Sequence, residues 1–325
     1  MMLRVSVVVP TYNRPTLLAR CLEALLMQDF APADYEIIIV DDADCAGTRQ
    51  LVECRAQSAR QSGYTICYIP VKSSHGPAAA RNLGCRAARG EVIAFTDDDC
   101  IPCAGWLNEG VAAMVDGVVG VSGRIIVPLG TLPTDYEYNA SKLADCEFVT
   151  ANCFYRRDAL LMVGGFDERF AVAWREDSDL LFTLEESGAK CASAPDAVVI
   201  HPVRPAQWGI SIYQQRKSMF NALLYKKHPL LYRQKIQDAP PWRYYGIVSA
   251  LLLVVISLIR RSGFLALPGL ALWTYLTGQF CVQRLRHTSH APRHIMEMML
   301  TSIAIPPIAI FWRLRGAIKF RVFYI

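Results

Sequence analysis

Several things are missing from this 325-residue chain. There is no G-x-G-x-x-G after the first apolar run, so a dinucleotide-binding turn is not indicated. There is no dense cysteine framework: eleven cysteines, an odd number, are scattered through the chain. That usage suits small packed thiols in a reducing compartment. Cys100 and Cys103 form one C-x-x-C, but no second pair follows at zinc spacing, which argues against a structural zinc site. Excess charge is small, +5 overall, so nucleic acid is not an indicated partner. The N-terminal run is too short for a secretory signal, because Thr11, Asn13, Arg14 and Pro15 interrupt it. The N-terminal part is therefore expected to stay in the cytoplasm.

What is present is order. Val5–Val9 is β-branched and ends in Pro10, a first buried strand. Leu17, Leu18, Cys21, Leu22, Leu25 and Leu26 then repeat at helical spacing. Glu36–Val40 reads as a second strand ending in Asp41-Asp42. A helix over Cys45–Arg60, a strand over Tyr64–Ile69 and an alanine- and arginine-rich helix over Gly76–Arg89 follow. Val92–Phe95 is a buried strand that surfaces at Asp97-Asp98-Asp99. Strands alternating with helices predict a mostly parallel α/β sheet covered on both faces. In such sheets ligands lie beyond the strands' carboxyl ends, where Thr11, Asp41 and the acidic triplet fall. Three adjacent carboxylates repel one another, and a hard cation such as Mg²⁺ or Mn²⁺ relieves that repulsion.

Downstream, Val118–Val127 and Phe148–Tyr155 read as strands, 129–143 as irregular, and Arg156–Met162 as a short helix. A second acidic centre, Glu176-Asp177 with Asp179, opens an amphipathic helix. A helix N-terminus favours negative charge by ~0.3–1 kcal/mol, so capping alone is a competing reading. Gly164-Gly165, Phe166, Phe170 and Trp174 just upstream argue for more than a cap. Ala197–Ile200 reads as a strand ending at His201.

The stretches VSVVVPTYNRPTLLARCLEALLMQD, EIIIVDDA, GPAAARNLGCRAARGEVIAFTDDDCIP and GGFDERFAVAWRED, in that order, resemble the inverting glycosyltransferase family 2. The resemblance implies a GT-A fold, a Rossmann-like α/β sheet flanked by helices. It implies that Pro10, Thr11, Tyr12, Arg14, Asp41, Arg81, Asp97 and Asp98 hold a nucleotide-sugar donor. Asp99, with Asp97 and His201, would hold a divalent cation, Mn²⁺ or Mg²⁺. Asp177 would be the catalytic base, with Glu176 as the fallback. Gly165 and Trp174 would belong to the loop facing sugar and acceptor. The VDDADC segment departs from the family's usual Gly-Ser continuation.

From about Tyr244 the chain turns apolar. Tyr244–Ile259 and Phe264–Val282 read as membrane spans, and Ile295–Trp312 as a third segment compromised by Glu297 and Pro306-Pro307. A region over 206–243 reads as an amphipathic interfacial helix, with Arg216, Lys217, Lys226 and Lys227 beside an apolar face. The expected organisation is a catalytic domain over 1–205, the interfacial region, and membrane-associated helices over 244–325. The catalytic domain is expected on the cytoplasmic face of the cell (inner) membrane. The expected partners are a nucleotide sugar, membrane lipids and a membrane-associated acceptor bearing a hydroxyl. A polyprenyl-phosphate monosaccharide synthase is the neighbouring alternative. A nucleotidyltransferase or a silent nucleotide-sugar-binding module is the alternative from another class.

Overall fold

The computed structural model describes residues 3–324, so Met1 and Met2 of the N-terminal run lie outside the described residues. Eight strands form one sheet: β1 Val5–Thr11, β2 Tyr35–Asp41, β3 Thr65–Pro70, β4 Val92–Phe95, β5 Ile101–Pro102, β6 Val118–Ile126, β7 Cys153–Arg156 and β8 Lys190–Ile200. Their order is β3-β2-β1-β4-β7-β6-β8-β5. The first four are mutually parallel, as is the β6–β8 pair, whereas β7 and β5 run against their neighbours. The α/β sheet and its mostly parallel direction match expectation, with β7 entering antiparallel in the middle.

The sheet centre is dry. Every residue of β2 is buried, and so is each of β1 except Pro10. The Pro15–Leu25 helix covers one face with Leu18, Cys21, Leu22 and Leu25, each leucine stabilising by ~1.5–3 kcal/mol through burial. At the sheet's amino edge Ser6 Oγ donates to Glu36 Oε1 at 2.7 Å, and the Arg89 guanidinium reaches Glu36 Oε2 at 2.6 Å. Gly90 closes this edge: a Cβ there would stand 2.5 Å from the Ser6 backbone nitrogen. The start of β1 and β2 is thus pinned, and the other edge is left for polar loops.

Three local expectations need correction. The strand expected over Phe148–Tyr155 begins only at Cys153, because Phe148 sits at φ 55° and breaks the extended run. The irregular stretch after β6 contains a helix, Asp135–Ser141. The interfacial region is not one helix. It is a series of short ones, Ile210–Gln214, Gln215–Phe220, Asn221–Lys227 and Pro229–Lys235.

The chain forms two compact units, one of 1–128 and 142–202, the other of 129–141 and 203–325. The second unit carries three long helices, Trp242–Ile259, Gly263–Leu285 and Pro292–Phe320. By length and composition, two of them, Trp242–Ile259 and Pro292–Phe320, are long and apolar enough to cross a membrane among the described residues. The last runs unbroken through Pro306-Pro307. Each proline forfeits one backbone hydrogen bond, a loss long apolar helices tolerate where neighbours pack against them. The same unit buries a polar knot. Arg284 Nη2 meets Asp135 Oδ2 at 2.7 Å, and its Nη1 donates to Thr301 Oγ1 at 2.7 Å and Ser302 Oγ at 3.1 Å.

Candidate active site

Parallel pairing sets Thr11 beside Asp41 in register, and Val8 beside Phe95. The carboxyl ends of β1, β2 and β4 therefore share one edge, and the expected residues gather there. The segment after β4 carries Asp98, fully buried, whose Oδ2 accepts from Thr11 Oγ1 at 2.6 Å and pairs with Arg14 Nε at 3.1 Å. Burial pushes its pKa up to about 6, against the pull of Arg14 and Thr11. Its Oδ1 is buried without a hydrogen-bond donor among the described residues. Thr11 and Arg14 are therefore held on a carboxylate, and Tyr12 beside them stays open to solvent.

Asp41 is spent on its own turn. Its oxygens accept from the backbone N–H of Ala43 at 3.0 Å and Cys45 at 2.8 Å, and from the Tyr68 hydroxyl at 2.9 Å. An ionised carboxylate offers about four acceptor positions, so roughly one remains. Asp42, next along, accepts from Gly76 N at 2.9 Å and meets His75 Nδ1 at 2.8 Å.

Asp99 and His201 come together: His201 Nε2 stands 3.7 Å from Asp99 Oδ1. Ligand atoms of Asp99, Cys100 and His201 all lie within 4.8 Å of one another. Carboxylate oxygen and imidazole nitrogen suit Mn²⁺ and similar ions. Cys100 fits less well, since burial holds its thiol well above the usual range and a ligating sulfur must be a thiolate. Asp97, also expected with the metal, accepts from Arg81 Nη2 at 2.8 Å through Oδ1.

Arg81 is the bridge between the two acidic centres. It is buried, and Nη1 donates to Glu176 Oε1 at 3.0 Å. Burial opposes its charge, but Asp97 and Glu176 together overcome that and hold it firmly protonated. Glu176 is buried too, its second oxygen taking the Trp174 N–H at 2.7 Å. Burial and then the neighbouring Asp177 push its pKa up, against Arg81. Asp177 differs. It is half-buried, and only Oδ1 is engaged, by Ser178 N at 2.6 Å and Ser178 Oγ at 3.3 Å. Its Oδ2 accepts nothing among the described residues. Arg175, just before, sits at φ 75°, a conformation costly for a non-glycine residue and common near functional sites. Its guanidinium lies 4.7 Å over the Trp174 ring.

Asn82 was not singled out by the sequence and organises the loop before this helix. Its Oδ1 accepts from Phe166 N at 2.8 Å, and its Nδ2 donates to Phe166 O at 2.8 Å. Gly165 is explained by that clamp: it lies at φ 73°, and a Cβ would fall 2.5 Å from Asn82 Oδ1. The available signal was Asn82 one residue after Arg81 on the same helix, facing the Gly-Gly loop. Asparagine in a polar helix carries no such flag by itself.

Two family models match. "Glycosyl transferase family 2" covers residues 6–162, and "Glycosyl transferase family group 2" covers 134–314. Glycosyltransferase AglE of Haloferax volcanii is 29% identical over 217 residues, 62% of this chain and 67% of that protein. The GalNAc(5)-diNAcBac-PP-undecaprenol beta-1,3-glucosyltransferase of Campylobacter jejuni is 30% identical over 124 residues, 38% of each. The mannosyltransferase PcManGT from Pyrobaculum calidifontis, solved with GDP-Man and Mn²⁺, superposes with a TM-score of 0.64 at 21% identity. That match covers 96% of this chain and 88% of the other. The fold is therefore of the GT-A type. The stretches matched to these two relatives span two thirds of one and little over a third of the other.

Proposed function

This chain belongs to glycosyltransferase family 2, and on that premise we propose that it is an inverting, divalent-cation-dependent glycosyltransferase. It moves a sugar from a nucleoside-diphosphate sugar to a hydroxyl of a membrane-associated lipid or glycan acceptor, with Asp177 as the base. One observation carries the base assignment. Of the two adjacent carboxylates, Glu176 has both oxygens committed, one to buried Arg81 and the other to the Trp174 N–H, and Asp177 keeps an oxygen open among the described residues.

Asp177 takes the acceptor hydroxyl's proton as that hydroxyl oxygen attacks the anomeric carbon and the nucleoside diphosphate leaves, a role typically contributing ~10²–10⁴-fold. Glu176 and Arg81 fix the start of the Glu176–Glu186 helix, so Asp177 is aimed by a rigid support. The Arg81–Asp97 contact ties that support to the β4 edge. Asp99 and His201 would hold the cation, which stabilises the charge on the leaving diphosphate; the Mn²⁺ of the Pyrobaculum enzyme supports this reading. Thr11 and Arg14 orient Asp98 beneath that site. Tyr12, exposed beside them, offers a ring face to the donor. Attack from the face opposite the leaving group inverts the anomeric centre.

The membrane setting is supported by the two long apolar helices and by the undecaprenol-linked name of the Campylobacter relative. Arg286 and Arg293 follow the second long helix. By the positive-inside tendency they favour the cytoplasmic face of the cell membrane.

The test is nucleotide release by detergent-solubilised protein, with Mn²⁺ or Mg²⁺, a panel of nucleotide sugars and a membrane lipid extract. Metal-dependent release of a nucleoside diphosphate from one donor, abolished by Asp99→Ala, is expected. Release of pyrophosphate from a nucleoside triphosphate and a sugar phosphate would instead make the protein a nucleotidyltransferase.

A further inference from the structure

The Trp242–Ile259 and Gly263–Leu285 helices form an antiparallel hairpin, so the start of the first meets the end of the second. Tyr244 and Phe280 mark the meeting, their rings 5.3 Å apart. A cavity of about 550 Å³ opens at this end, lined by Arg243, Arg286, Gln279, Gln283, Tyr275 and Thr274 among others. Arg243 donates to Gln283 and lies 5.7 Å over the Phe280 ring. Neither Arg243 nor Arg286 has a carboxylate partner among the described residues. No acidic residue lines the cavity. Two guanidiniums and two carboxamides thus converge with no negative charge to answer them.

The rest of the hairpin is apolar and open. Leu252, Val255, Ile256, Leu258 and Ile259 are exposed on the first helix, and Leu267, Leu270 and Leu272 on the second. Trp242 and Tyr275 are exposed at the cavity end, where interfacial aromatics sit. A basic, donor-rich cleft above a long apolar face is complementary to one kind of molecule, an amphiphile with an anionic head. Guanidiniums match phosphate oxygens bidentately.

We propose that this cleft binds the net-anionic, phosphate-bearing headgroup of a membrane lipid, with the acyl or prenyl chain lying along the hairpin. It is separate from the carboxylate site at the sheet edge and is built wholly from the second unit. The proposal rests on the reading of these helices as membrane-embedded, and the experiment separates the two.

The full chain is reconstituted in phosphatidylcholine vesicles doped with spin-labelled phosphatidic acid or spin-labelled phosphatidylcholine. The motionally restricted fraction of each is read by electron paramagnetic resonance. At ~1 kcal/mol per basic residue, the wild type is expected to prefer the phosphatidic acid by roughly tenfold or more. Arg243→Gln with Arg286→Gln should bring that preference near unity. Arg260→Gln with Arg261→Gln, changing charges at the hairpin's opposite turn, should leave it in place. Equal restriction of both lipids by wild type, or a preference surviving the Arg243/Arg286 change, overturns the headgroup site while leaving the embedding intact. Displacement of the labelled phosphatidic acid by millimolar inorganic phosphate would assign the cleft to a free anion and overturn the lipid. Failure to restrict either lipid would overturn the embedding, and the site with it.

Discussion

Asp177→Asn and Glu176→Gln should separate chemistry from support. Asparagine at 177 keeps a carbonyl oxygen for Ser178 N–H and loses only the basic oxygen. Stability should stay within about 1 kcal/mol of wild type. Turnover should fall ~10²–10⁴-fold, a barrier increase of about 3–5 kcal/mol. Glutamine at 176 behaves differently. Its single carbonyl oxygen must serve either Arg81 Nη1 or Trp174 N–H, where the carboxylate served both. The abandoned donor costs ~1–3 kcal/mol. Against that, the neutral amide escapes the burial penalty that already pushes Glu176 towards protonation. A modest loss of stability should result, with a smaller loss of turnover than at 177. Initial rates at saturating donor and thermal melts of both variants decide the matter. Asp177→Asn retaining turnover within threefold of wild type would refute the base assignment. If Glu176→Gln alone abolished activity with an unchanged melt, the base would move to Glu176.

Four further outcomes follow from the same geometry. Gly165→Ala should destabilise by about 1–3 kcal/mol, from its left-handed φ and the clash with Asn82; urea titration reads it, and Asn82→Ala should loosen the same loop. His201→Ala should weaken Mn²⁺ binding in paramagnetic titration, and Asp99→Ala should weaken it further. Asp98 has a folded-state pKa raised to about 6 against 3.8. The native state therefore holds more protons than the unfolded one between those values, and Asp98's contribution to stability declines as pH rises through that window, then levels off. In metal-free protein Asp98→Asn should remove a slope worth about 3 kcal/mol in total, as seen in unfolding free energy between pH 4 and 7. Asp135→Ala leaves Arg284 buried without its carboxylate, and should cost ~3–5 kcal/mol in detergent-solubilised melts. The volume-matched apolar pair Asp135→Leu with Arg284→Met should recover part of it.

The sheet edge was legible because its signals are local. β1, β2 and β4 are continuous apolar runs that surface at polar residues, and parallel pairing then places Thr11, Asp41 and the acidic triplet together. The membrane-type helices were legible by composition, although the two that are long and apolar enough are Trp242–Ile259 and Pro292–Phe320 rather than Gly263–Leu285. What stayed hidden depends on backbone conformation or on distant partners. Phe148 and Arg175 take left-handed conformations that their side chains do not advertise. Asn82 gains its meaning from Phe166, 84 residues away. The Arg81 contact to one oxygen of Asp97 joins residues 16 positions apart and is likewise not visible in the sequence. The stretch from Ile210 to Lys235 has helical periodicity throughout, yet the chain kinks between short helices.

The excursion over 129–141 has a consequence for how this protein is made and cut. Asp135 leaves the ribosome 149 residues before the arginine that neutralises it. Until Arg284 follows, the excursion's carboxylate has no buried counter-charge, and the helix that supplies one also carries the apolar hairpin. Maturation of the excursion is thereby made contingent on synthesis of the C-terminal third. A fragment ended at Pro202 would contain the sheet and both carboxylate centres. It would still carry residues 129–141 as an orphaned, sticky loop, whereas replacing that stretch by a short polar linker should give a better-behaved catalytic fragment.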